Sequence, residues 1–184
     1  MLAEAVIKQQ DDSFESLLTG PSRLGSLDYE LDRSRRHSRQ FGLLIVQPDG
    51  ARSGGLEIGR EQTMGVLAEI IGSAARVTDV AFLHDAYSYC VILPETGAEG
   101  ARVAAERIRL SLVARHSGSE GELTASVGVA IFPDDASSNV ALVEAATRAL
   151  ARAVELGGNR TLLAKAPDEA PAGWGLRESP QAAS

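Results

Sequence analysis

Apolar residues recur along this chain in two different periods, and the period switches several times. In "SLDYELDRSRRHSRQ" (26–40), Leu27 and Leu31 stand one helical turn apart on a charged background. That spacing predicts an amphipathic helix with a basic, solvated end. "FGLLIVQ" (41–47) is a continuous apolar run of strand length, which predicts a strand covered on both faces. "PDGARSGG" is a turn-rich break, and a helix follows at about 59–74 with Met64, Leu67, Ile70 and Ile71 at helical spacing. Two strands at roughly 77–83 and 87–93 enclose a short turn. "TGAEGARVAAERIRLSLVARHS" reads as a helix with Val103, Ile108 and Leu110–Val113 as its apolar positions. "ELTASVGVAIFP" (122–133) is the most strand-like run of all. Pro133 and "DDASSN" end it, and Ser137, Ser138 or Asn139 is placed to cap the next helix. That helix stops at Gly157–Gly158, and "NRTLLA" supplies a last strand. Strands alternating with helices, with one hairpin in the middle, indicate a mixed α/β sheet covered by helices.

Composition narrows the class without naming a function. A chain of 184 residues suits one domain with tails. The expected division is an N-terminal helix or linker at 1–15, a domain at 16–165, and a disordered tail at 166–184 rich in Pro, Ala, Gly and Ser. Acidic residues outnumber basic ones, 25 to 18, which argues against general nucleic-acid binding. Cys90 has no partner for a disulfide and sits in an apolar run, so it reads as a small buried hydrophobe. The N-terminus lacks the pattern of a secretory signal, and no stretch approaches the roughly 18 apolar residues of a membrane span. A cytoplasmic location is expected. His37, His84 and His116 have no metal-ligand spacing. Trp174 lies in the tail, and "RSRRHSR" (33–39) reads as a solvated helix end.

Specific segments say more than the pattern. "LTASVGVAIFPDDASSNVALVEAATRALARAVELGGNR" resembles the C-terminal half of a GGDEF domain, the diguanylate cyclase family. "VILPETGAEGARVAAERIR" is similar to the segment that follows the family's signature hairpin. "LTGPSR" and "LDRSRRHSRQFGLLIVQPDG" resemble its opening. The likeness runs from about residue 16 to 163. It implies a palm-like α/β fold, in which a central, mainly antiparallel five-stranded sheet is flanked by helices.

The resemblance also implies where chemistry should reside, and there the sequence departs from the family. The signature Gly-Gly-Asp/Glu-Glu-Phe falls on Asp85, Ala86, Tyr87, Ser88 and Tyr89. Both glycines and both acids are gone from their places, and only an aromatic at the last place remains. The family joins two GTP molecules with the help of two divalent metals. Magnesium prefers carboxylate oxygens, supplied by the third signature position and by an Asp ending the first strand. Tyr87 and Gln47 take those places, and neither a phenol nor an amide replaces the charge. The guanine-reading loop is shortened, with Arg60 where an Asp would fall. Val154 replaces a phosphate-contacting Lys, and Gly158 takes a position that is often basic. No catalytic residues, no Mg2+ site and no cofactor are therefore expected.

What remains is the pattern of the family's inhibitory site, Arg-x-x-Asp placed five residues before the signature. Arg76 and Asp79 match it in type and spacing, and by position Arg107 matches a further Arg on the following helix. An Arg fork can grip the O6/N7 edge of guanine, and a carboxylate can accept from its N1–H and N2–H2 groups. The resemblance thus implies a non-catalytic receptor for cyclic di-GMP that relays its signal by contact with a protein partner. A ligand-driven homodimer is the corollary. The alternatives are a nucleotide-free interaction scaffold, in which Arg76 and Asp79 are remnants, and residual cyclase activity.

Overall fold

The computed structural model describes residues 23–56, 59–116 and 123–164. The expected N-terminal linker, the C-terminal tail and Trp174 lie outside them. Among the described residues four helices and five strands follow one another: α1 (Arg23–His37), β1 (Phe41–Pro48), α2 (Arg60–Ala74), β2 (Val80–Asp85), β3 (Ser88–Pro94), α3 (Ala98–His116), β4 (Ala125–Phe132), α4 (Asn139–Glu155) and β5 (Thr161–Leu163). The strands form one sheet in the order β2-β3-β1-β4-β5. All neighbours are antiparallel except β4 and β5. The α/β architecture with a mainly antiparallel five-stranded sheet is therefore the one expected.

Both faces of the sheet are buried, which is why its central strands read as unbroken apolar runs. Every residue of β1 and of β4 is buried. Alternate side chains serve opposite faces. Leu44, Val46, Tyr89, Val91, Val127 and Val129 meet α2 and α3. Leu43, Ile45, Cys90, Ile92, Ala130 and Phe132 meet Leu27 and Leu31 of α1 and Leu142, Ala145, Ala146 and Leu150 of α4. The last helix lies very close to the sheet. A Cβ on Gly128 would stand 2.0 Å from the Ala146 carbonyl oxygen and 2.4 Å from the Leu150 amide nitrogen. Only glycine leaves room for that crossing. Of the three residues proposed as its cap, Ser138 is the one used, its hydroxyl accepting from the Ala141 amide at 3.3 Å.

Several expectations need correction. The first helix ends at His37, three residues early, because Ser38 turns with a φ of 52°. Its basic end is not simply solvated. Arg39 pairs with Glu95 at 2.5 Å, Arg33 bridges Glu30 and Glu95, and Arg35 donates to the Ser137 carbonyl. The basic residues thus tie α1 to two turns of the same domain. The buried face of α3 differs in part from the expected apolar positions. Val103 and Leu110 are about half exposed, and the buried face is Ala101, Ala105, Ile108 and Leu112. Finally, β2 starts at Val80 rather than 77, because Arg76–Asp79 forms a turn of its own.

Candidate functional site

The hairpin between β2 and β3 turns in two residues, Ala86 and Tyr87, with Asp85 opposite Ser88. Neither turn residue has a positive φ. The turn is held instead by the Asp85 side chain, whose Oδ1 accepts from the Tyr87 amide and from the Ser88 hydroxyl, both at 2.8 Å. This is an Asx-type closure, and it removes the need for glycine. Partial burial would raise the Asp85 carboxyl, but these two hydrogen bonds and the guanidinium of Arg52 outweigh it and lower the pKa. Tyr89, the last signature position, is fully buried beneath α2 and donates its hydroxyl to the Met64 carbonyl at 3.2 Å. Burial raises its phenol to about 12.

Around this turn the structure gathers residues that sequence reasoning had not grouped. The loop after β1 folds on itself at Gly50 (φ 79°), which accepts from the amides of Ser53 at 3.2 Å and Gly55 at 3.1 Å. That path sends Arg52 back over the hairpin. Its Nε donates to Gln47 Oε1 at 2.7 Å, its Nη2 pairs with Asp85, and its guanidinium lies 5.2 Å from the centre of the Tyr87 ring. Arg60, the first residue of α2, lies 5.5 Å from the same ring. Asp49, just past β1, is engaged as well. It accepts from the Thr124 and Ser126 hydroxyls at 2.6 Å each and from the Asn159 amide at 2.8 Å. Gly158 sits against it, leaving no room for a side chain at that position (a Cβ would be 2.8 Å from the carboxylate).

These residues do not suit the divalent ions that the family resemblance implies. Gln47 offers a neutral amide oxygen already taken by Arg52, Tyr87 offers a phenol, and Asp85 is paired with a cation. Oxygen-seeking ions such as Mg2+ need several carboxylate or water ligands that a cation does not already hold. Among the described residues no group of three or more His, Cys, Asp or Glu could hold a metal. His84, at half-buried strand position, joins no such group.

The three residues assigned to the second site lie at the other end of β2, about 17 Å along the strand by its ordinary rise. Asp79 closes the turn, its Oδ2 accepting from the Arg76 amide at 2.7 Å. The Arg76 side chain is exposed and makes no hydrogen bond among the described residues. Arg107, exposed on α3, donates from Nη2 to the Ala74 carbonyl at 2.5 Å, at the C-terminal end of α2. The structure therefore brings Arg107 to within two residues of Arg76, on the surface where α2 ends and α3 passes. Of the positions that mark lost substrate contacts, Arg60 lies over the Tyr87 ring, Gly158 backs Asp49, and Val154 is exposed on α4.

Comparison with known proteins agrees with this fold. Residues 24–160 match the family model described as diguanylate cyclase, GGDEF domain. The chain is 34% identical over 102 residues to diguanylate cyclase A of Treponema denticola, covering 54% of this chain but only 28% of that protein. The active GGEEF domain of a diguanylate cyclase from Vibrio cholerae superposes with a TM-score of 0.69 at 16% identity, over 77% of this chain and 93% of that one. The GGDEF domain of DgcB from Caulobacter crescentus, solved in complex with c-di-GMP, superposes with a TM-score of 0.66 at 22% identity, over 76% and 86%. At these identities the two structures speak for the fold alone. No described helix is long and apolar enough to cross a membrane.

Proposed function

Because the chain belongs to the GGDEF domain family, we propose that it is a non-catalytic member that binds cyclic di-GMP through Arg76, Asp79 and Arg107. Binding then alters contact with another protein. The observation that carries this reading is the contrast between the two ends of β2. At the hairpin, the places of the catalytic acids hold Tyr87 and Gln47, and an arginine lies among them. At the other end, the exposed Arg76 side chain makes no hydrogen bond among the described residues, and Arg107 is anchored on the carbonyl of Ala74, two residues before Arg76.

The chemistry of that end suits a guanine and a phosphate. Arg76 can present a planar fork to the guanine O6/N7 edge. Arg107 spends one of its five N–H donors on Ala74 and keeps others for a phosphate oxygen. Asp79 spends one lone pair of Oδ2 on the Arg76 amide, and its carboxylate keeps others that can receive guanine N–H groups. Contacts of about 1–3 kcal/mol each support micromolar affinity, roughly −8 kcal/mol.

Isothermal titration of the full chain with cyclic di-GMP tests the reading. Micromolar binding by the wild type, lost in Arg76→Ala, is expected; absence of heat in the wild type rejects it.

A nucleotide-free scaffold is the second reading, favoured by one feature. A cleft of about 380 Å³ lies between α1 and the sheet edge, lined by Tyr29, Glu30, Arg33, Thr78, Val80 and Ile92 among others. Tyr29 is 70% exposed there and offers an aromatic ring to a partner. In that reading Arg76→Ala leaves partner binding unchanged, and a partner released by ligand rules it out.

A further inference from the structure

The geometry points to Arg52 as a resident cation: its guanidinium occupies the space between Gln47, Asp85 and Tyr87, fastens the loop after β1 to the hairpin, and excludes a divalent ion from that space. This rests on the proposed loss of catalysis but goes further. It says that the lost acids are not the only obstacle.

Three separate contacts define the position. Nε meets the Gln47 amide oxygen at the end of β1, Nη2 meets Asp85 at the end of β2, and the guanidinium carbon lies over the Tyr87 ring, 5.2 Å from its centre. The neighbours therefore come from β1, from β2 and from the turn between β2 and β3. The guanidinium suits all three, since its donors are spread in a plane and its face stacks on an aromatic ring. The loop that delivers it is short and internally bonded, from Pro48 to Gly55, so Arg52 is not free to wander. A cation set there repels a second one. It also competes for the ligands. A carboxylate in place of the Gln47 amide, 2.7 Å from Nε, would form a charge-assisted bond to Arg52 before it served a metal. An acid at 87 would meet the same guanidinium.

Two measurements on the full chain test this. In the first, Mn2+ is titrated into Gln47→Glu/Tyr87→Glu and into the same pair combined with Arg52→Ala, and free Mn2+ is followed by its paramagnetic resonance signal. The triple variant is expected to bind at least tenfold more tightly than the double. Equal affinity in the two, including no binding by either, overturns the exclusion.

In the second, hydrogen–deuterium exchange is compared for wild type, Arg52→Ala and Arg60→Ala. Arg52→Ala is expected to speed exchange both in 49–55 and in 85–89, with Arg60→Ala affecting the hairpin alone. Wild-type exchange in Arg52→Ala overturns the fastening role. The side chain of Arg52 is half exposed, so this variant keeps its core. Cyclic di-GMP titration of Arg52→Ala separates the two proposals. It reports on the far end of β2, and wild-type binding there leaves the receptor reading standing whatever Mn2+ does.

Discussion

At the scale of single residues, Asp85 shows how one side chain can replace a lost motif. Its Oδ1 closes the turn that glycines would otherwise shape, and its Oδ2 takes Arg52. Each bond favours the ionised form, so the folded pKa lies below the ordinary aspartate value of 3.8. For an acid lowered in this way the stability it contributes is fully present above the unfolded pKa. It is lost as pH falls through the folded one. Wild type is therefore expected to be more stable than Asp85→Asn at pH 6, with the difference shrinking steadily below about pH 4. Urea unfolding of both proteins across that range measures it, and a gap that is constant with pH contradicts the assignment. Both side chains of the Arg52 pair are partly exposed, so screening keeps the ion-pair share small, about 0–1 kcal/mol. Most of the effect comes from the two bonds within the turn.

At the scale of elements, the crossing of α4 over β4 is the contact least tolerant of change. The atoms that a Gly128 side chain would strike are the Ala146 carbonyl and the Leu150 amide, which belong to the helix backbone and cannot rotate aside. Gly128→Ala is expected to cost at least about 1–3 kcal/mol, read as a lowered denaturant midpoint. A midpoint within experimental error of wild type would mean that the helix can lift without loss.

The same scale shows what could be read in advance. β1 and β4 were legible because a strand covered on both faces must be apolar throughout. The buried face of α3 was misjudged because it meets the sheet through Ala101 and Ala105, and a search for large apolar residues passes over alanine. The start of β2 was misplaced for a different reason. Arg76 and Asp79 satisfy each other's backbone in a local turn, which no hydrophobic pattern records. Positions 47 and 85–89 could be named from the family motif. The grouping around them could not, because the place of Arg52 depends on a loop path set by Gly50 and not on any periodicity.

For the molecule as a whole, charge decides how a ligand could join two copies. The chain carries a formal net charge of −7, and cyclic di-GMP brings two phosphate charges of its own. If the ligand cross-links two domains through their Arg76 surfaces, it must hold together two bodies that repel. Around each Arg76 the ligand contact is short-ranged, while the repulsion between domains acts over the Debye length. That length falls from about 30 Å at 10 mM salt to about 8 Å at 150 mM. With ligand kept well above its dissociation constant at each step, the dimer fraction is therefore expected to rise over this range, although the arginine contacts themselves weaken. Light scattering of the full chain with and without ligand measures it, with Arg76→Ala as the control expected to stay monomeric. A monomer at every salt concentration, with ligand bound, removes the homodimer from the proposal and leaves a single-copy receptor. A dimer that only weakens as salt rises would mean that the two copies meet through charge complementarity and not in spite of repulsion.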